Sequence, residues 1–174
     1  MRIKPDDALA HNNWGVVLAE QGRLAEAIEH FQVALRIKPD DALAHTNWGA
    51  ALAQQGKLAE ASDHYRQALQ IEPDAVLAHN NWGLLLDDQG KLAEAIEHYR
   101  QALQIKPDSA EAHTNWGAAL AQQGKLAEAI EHFRQALRIN PDFAQARSKL
   151  LNALQGADMG KEEAGPNWKG KKSE

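Results

Sequence analysis

A proline returns every 34 residues along this chain, at Pro5, Pro39, Pro73, Pro107 and Pro141. Trp14, Trp48, Trp82 and Trp116 keep the same interval, each followed by a glycine, and Gly22, Gly56, Gly90 and Gly124 lie seven residues further on. A strict period of this length marks a chain made of stacked copies of one supersecondary unit, so the repeat constrains the fold before composition does. Four full units run 8–41, 42–75, 76–109 and 110–143. Residues 44–61 are identical to 112–129, and the first and third units share His-Asn-Asn-Trp-Gly, so a two-unit block of 68 residues repeats as well.

Each unit reads as two helices. Pro39 halts one helix, and Asp40 is placed to cap the free amides of the next. His11, Trp14, Gly15 and Leu18 then follow the i, i+3, i+4, i+7 spacing of one buried helix face. Gly22 stands where a helix end needs positive φ. A second stripe follows: Leu24, Ala27, Ile28, Phe31, Ala34 and Leu35. Neither helix buries its stripe alone; paired and stacked on neighbours, they make a continuous core. Gly15 facing Ala27, and Ala34 near the next unit, let backbones approach closely, so larger residues there should overpack. Ser62, where the other units have isoleucine, should weaken its helix slightly.

The pattern resembles the tetratricopeptide repeat, with aromatic-x2-Leu-Gly-x2-Tyr, then Ala-x3-aromatic, then Pro in 34 residues. The first unit supplies His11, Trp14, Gly15, Leu18, Ala27, Phe31 and Pro39. The second supplies His45, Trp48, Gly49, Leu52, Ala61, Tyr65 and Pro73. The third supplies His79, Trp82, Gly83, Leu86, Ala95, Tyr99 and Pro107, and the fourth matches likewise through Pro141. One departure is consistent: the usual Trp and Leu are here His and Trp. The resemblance implies an all-α fold, a right-handed superhelical α-solenoid of four helix-turn-helix repeats, with the first helices lining its concave side. Residues 1–7 read as the remnant of a preceding repeat, because residues 2–10 are identical to 36–44. Residues 144–155 read as a capping helix with Leu150, Leu151 and Leu154 in register, and 156–174 as a disordered tail.

Composition excludes several functions. There is no cysteine, which removes thiolate metal sites and thiol catalysis. A net charge of −5 is wrong for a phosphate-binding surface, so no nucleic-acid partner is expected. No apolar run is long enough for a membrane span, and a cytoplasmic setting is expected. Eight histidines fall at two repeat positions. His11 and His30, and their equivalents in the other units, could meet across each helix pair. None is spaced i, i+4 and no third ligand recurs, so neither a metal site nor a cofactor is expected, with the first set in the seam and the second on the surface. Features repeated in every unit suit architecture better than an active site, and no enzymatic activity is expected.

The candidate site is a row of asparagines. Asn13, Asn47, Asn81 and Asn115 precede each Trp, joined by Asn12 and Asn80, in helix interiors where Asn has no intrinsic advantage. They read as lying off the buried stripe. The row is similar to the asparagine ladder of O-linked N-acetylglucosamine transferase arrays, which implies contacts to the backbone of an extended peptide. Helices about 8–10 Å apart would present one amide roughly every third residue of a strand rising about 3.3 Å per residue. Each bond would contribute about 0.5–1.5 kcal/mol, giving weak, sequence-tolerant binding. Leu9, Leu43, Leu77 and Leu84 would take apolar side chains, and Glu20, Asp87, Asp88 and Glu111 basic ones. The expected partner is thus a protein or peptide, extended and basic. Positions that hold cations in carboxylate-gripping tetratricopeptide domains here hold Asn12, Val16, Asn47, Leu77 and Asn81, which argues against that mode. Two other readings stand beside the scaffold: end-to-end self-assembly into a homo-oligomer through an uncapped first repeat, and substrate recruitment for a larger enzyme.

Overall fold

The computed structural model describes the backbone of residues 7–163 and the side chains of residues 7–157. These residues fall into two compact units, Met1–Pro107 and Asp108–Glu174. The first holds α1 (Ala8–Glu20), α2 (Leu24–Ile37), α3 (Ala42–Gln54), α4 (Leu58–Ile71), α5 (Val76–Asp88) and α6 (Leu92–Ile105). The second holds α7 (Ala110–Gln122), α8 (Leu126–Ile139) and α9 (Ala144–Glu163). Odd and even helices pair as hairpins, α1 with α2, α3 with α4, α5 with α6 and α7 with α8. In the first unit α2 also packs on α3 and α4 on α5, while α1, α3 and α5 lie side by side. In the second, α9 packs on both α7 and α8.

The turn inside each hairpin is closed as the glycine spacing predicts. Gly22, Gly56, Gly90 and Gly124 adopt φ of 74°, 77°, 72° and 76°, where a side chain would be strained. The amide of Arg23 then reaches back to the Leu18 carbonyl at 2.9 Å and that of Gly22 to Ala19 at 2.9 Å, satisfying the last carbonyls of α1. The N-terminal cap differs from expectation by one residue. Asp41, not Asp40, accepts from the Ala44 amide at 3.1 Å, and Asp7 and Ser109 act likewise for α1 and α7. Ala75 precedes α5 without a side-chain cap.

The close approach in each hairpin is decided by a ring against a glycine. A Cβ placed on Gly15, Gly49, Gly83 or Gly117 would lie 2.5–2.8 Å from Phe31, Tyr65, Tyr99 or Phe133. Those four rings are almost wholly buried. Between hairpins of the first unit, Ala34 and Leu35 of α2 pack on Ala44, with Trp48 against them. Tyr65 of α4 joins Leu85 of α5 in a shared cluster with Leu52, Ala61 and Trp82. Ser62 returns its hydroxyl to the Leu58 carbonyl at 3.1 Å, so its helix continues.

The last helix is longer than the sequence suggests. Residues 156–163, expected to be disordered, continue α9 to Glu163. Glycine ends the first helices because it takes positive φ there. Gly156 does not, and its missing side chain lets the Leu126 methyl come within 3.4 Å of its Cβ position. The expected remnant 1–7, apart from Asp7, and tail residues 164–174 lie outside the described residues.

Candidate functional site

The asparagine row resolves into two kinds of position. Asn13 is exposed, and Asn47 and Asn81 are half-buried on α3 and α5. Asn12, Asn80 and Asn115 are not on the open face: they are only 3%, 4% and 5% exposed, which corrects the expectation that the row lies clear of the buried stripe. The reason is helix rotation. Asn12, two places before Trp14, points from α1 toward α3, a direction that single-helix periodicity cannot resolve. Across that seam the Asn47 Nδ2 donates to the Asn12 Oδ1 at 3.0 Å. The corresponding position alternates along the chain. Thr46 and Thr114 take the place of Asn12 and donate to carbonyls of their own helices, Ala42 at 2.8 Å and Ala110 at 2.7 Å. The Asn/Thr alternation was visible as the 68-residue period, but only the packing shows its effect. Asn47 is tied to a buried neighbour, whereas Asn13 and Asn81 have no side-chain hydrogen bond among the described residues.

Beside Asn47 lies a groove of about 400 Å³ lined by Val16, Glu20, Ala50 and Gln54, with Ala19, Phe31 and Ala51 at its base. Small side chains open it, and the amides and one carboxylate line it. Glu20 and Asp88 are exposed, Asp87 and Leu84 are half-buried, and Leu9, Leu43 and Leu77 are 63%, 47% and 43% exposed. No Lys or Arg occurs within α1, α3 or α5. Their electrostatic character is therefore set by carboxylates and amides. In the second unit Glu111 is exposed, and a smaller concavity of about 210 Å³ is lined by Ala118, Leu126, Lys149 and Asn152. There Lys149 of α9 stands at the register of Asn115.

The histidines behave differently from expectation. They do meet in pairs across each hairpin, and His45 is almost buried. The second-helix set, His30, His64, His98 and His132, is half-buried rather than on the surface. Three of these rings lie over an indole: Trp48–His64, Trp82–His98 and Trp116–His132, with centroids 4.1, 4.4 and 4.3 Å apart. The Trp that replaces the usual Leu thereby covers the residue paired with the His that replaces the usual Trp. Among the described residues, no group of three or more His, Asp or Glu side chains could hold a metal ion. No described helix is long and apolar enough to cross a membrane.

A family model for the TPR repeat matches residues 15–56, 49–88 and 83–124, and one for the tetratricopeptide repeat matches 110–143. The chain belongs to the tetratricopeptide repeat family. It is an all-α helical-repeat solenoid, of a class that generally mediates protein–protein interactions. Its fold is similar to that of PilF from Pseudomonas aeruginosa, with a TM-score of 0.82 at 25% identity over 87% of this chain and 69% of that one. It is also similar to YrrB, described as a TPR protein with an unusual peptide-binding site, with a TM-score of 0.66 at 22% identity over 88% and 79% of the two chains. A third likeness is to the MamA protein, with a TM-score of 0.72 at 18% identity over 90% and 86%. No curated protein sequence matches the chain significantly.

Proposed function

We propose that this tetratricopeptide repeat chain is a binding scaffold that takes an extended, basic segment of a partner protein along α1, α3 and α5. The observation that carries this reading is the row Asn13, Asn47 and Asn81 beside a groove lined by Glu20 and Gln54. A side-chain amide offers a donor and an acceptor together, which matches the alternating carbonyl and amide of an extended main chain. Glu20 and Asp88 would attract Lys or Arg side chains, with no cation on these helices to oppose them. Leu9, Leu43 and Leu77 provide exposed apolar contact for the intervening residues. YrrB, a relative in fold, is described as having a peptide-binding site, which supports a peptide as the ligand.

The two kinds of asparagine refine this proposal. Asn47 already spends its amide hydrogens partly on Asn12, whereas Asn13 and Asn81 keep both donor and acceptor for a ligand. Binding should then be anchored at Asn13 and Asn81. The test is a panel of unstructured peptides, basic, acidic and neutral, measured by fluorescence anisotropy. Basic peptides should bind best, Asn81→Ala should weaken binding about tenfold, and Asn47→Ala should weaken it less. Equal binding of all three peptide classes, or no effect of Asn81→Ala, would remove the groove from consideration.

A further inference from the structure

Every repeat sets one imidazole of its first helix against one of its second. The Nδ1 atoms of His11 and His30, of His45 and His64, and of His79 and His98 lie 3.0 Å apart, and those of His113 and His132 lie 3.1 Å apart. Two bare lone pairs repel at that distance and two N–H groups do not fit, so one proton must lie between the rings. In two pairs the proton can be assigned. His45 Nε2 lies 3.2 Å from the Pro39 carbonyl and His79 Nε2 lies 3.0 Å from the Pro73 carbonyl. A carbonyl only accepts, so each Nε2 carries hydrogen and each neutral ring presents a bare Nδ1. His64 and His98 must then donate from their own Nδ1.

The same geometry disfavours a metal. The ring centroids of these two pairs are 5.3 Å apart, close to the Nδ1 separation plus two ring radii, so the nitrogens point at each other along one line. An ion on that line needs about 2.0–2.1 Å on each side, hence roughly 4 Å between nitrogens. The pairs are spaced for a proton.

We propose that the four histidine pairs are acid-sensitive clasps between the two helices of each repeat, closed while a pair shares one proton and opened when both rings are fully protonated. One extra proton can enter at Nε2 of the second-helix histidine and leave the bridge intact. A second must enter at Nδ1 of the first-helix histidine, where it meets the facing N–H and breaks the bridge. In the unfolded chain both histidines protonate independently near pH 6.5. Acid therefore gives the unfolded state at least one more proton per pair, and stability falls with pH.

The surroundings resist even the first extra proton. Burial, with the facing histidine adding to it, pushes His64, His98 and His132 down to about 4, and pushes His30 in the same direction. Nearby charges oppose this more weakly: Glu26 and Glu29 for His30, Asp41 for His45, Asp63 for His64 and Glu97 for His98. The folded values lie below the unfolded one. The contribution is thus complete above about pH 6.5 and is lost as pH falls toward about 4. Exposed carboxylates act in a separate window. The Arg100 and Gln101 hydrogen bonds hold Glu97 down at about 2, so its own loss comes at lower pH.

The test compares the chain with a variant carrying His30→Gln, His64→Gln, His98→Gln and His132→Gln. Glutamine can still donate to the facing Nδ1, can turn to accept from it once protonated, and does not titrate. Urea unfolding followed by circular dichroism at pH 7.5, 6.5, 5.5 and 5.0 should show the unfolding constant of the parent rising, below about pH 6.5, by about tenfold to a hundredfold per pH unit for each pair. The variant should show less than half that slope. A parent whose stability is flat from pH 7.5 to 5.0, or a variant with the parent's slope, overturns the proposal. Long-range proton–nitrogen NMR of the parent at pH 7.5 provides a check that does not depend on the variant folding. His64 and His98 must carry hydrogen on Nδ1, and an Nε2–H form in both overturns it equally.

Discussion

The first and third repeats open with the same five residues, His-Asn-Asn-Trp-Gly, yet the structure arranges them differently. In the third, Trp82 is half-buried and stacks on His98 at 4.4 Å and 31°. In the first, Trp14 is 43% exposed and meets His30 edge-on, at 6.5 Å and 71°. The difference extends down the helix. Val17 is 38% exposed, whereas Leu85 at the same register is 3% exposed. Asn13 is exposed and Asn81 half-buried. The cause is the neighbour: α4 packs on α5 and brings Tyr65 and Ala61 to Trp82, while no described helix precedes α1. In the first unit, the face of a first helix is completed by the second helix of the repeat before it. Contacts inside the hairpin do not change, since Gly15 and Gly83 stand equally close to Phe31 and Tyr99.

That contrast can be broken most directly at the indoles. Trp82→Ala should cost about 3 kcal/mol in urea unfolding, because it empties a packed seam, and Trp14→Ala should cost about 1 kcal/mol or less. Equal costs would mean that α4 contributes nothing to the stack. The glycines sharpen the other half of the contrast. A methyl group on Gly15 or Gly83 would lie 2.5 Å from the ring it faces in both repeats. Gly15→Ala and Gly83→Ala should therefore each destabilise by about 1–3 kcal/mol, in similar measure, although alanine is the better helix former. Thermal melts that separate the two glycines widely would show that the hairpins are not equivalent. The smallest effect concerns helix starts. α1 has a capping Asp7 and α5 has Ala75 in its place. Asp7→Ala should lose about 1 kcal/mol, and Ala75→Asp should gain a similar or smaller amount. Hydrogen exchange of the first-turn amides would resolve both.

How much of this was legible depends on the kind of contact. Helix periodicity and the positive-φ glycines follow from spacing, because they are local, but the sequence set Gly15 against Ala27 and the structure sets it against the Phe31 ring, one turn further along. The cap slipped from Asp40 to Asp41, since two adjacent aspartates satisfy the same composition rule and only backbone geometry separates them. Residues 156–163 read as tail because their composition lacks an apolar period, yet they continue α9. Among candidate site residues, Asn13 and the half-buried Asn47 and Asn81 stay accessible, but Asn12, Asn80 and Asn115 are buried, and for Asn12 that burial depends on α3 across the seam. The histidine pairs were within reach of the 34-residue register. Their distance and their cover by tryptophan were not, since both require the crossing of two helices to be known.

By itself the sequence determined the repeat. A 34-residue period, glycine at each turn and two apolar stripes at helical spacing leave one local solution, because periodicity and turn chemistry agree in every copy. Tertiary structure alone decided what identical residues do. Trp14 and Trp82 differ because, among the described residues, α4 packs beside Trp82 and no helix does so beside Trp14. Asn47 is engaged because Asn12 lies across a seam. The Nδ1 atoms of His45 and His64 meet at 3.0 Å because the two helices of the hairpin approach closely where Gly49 faces Tyr65.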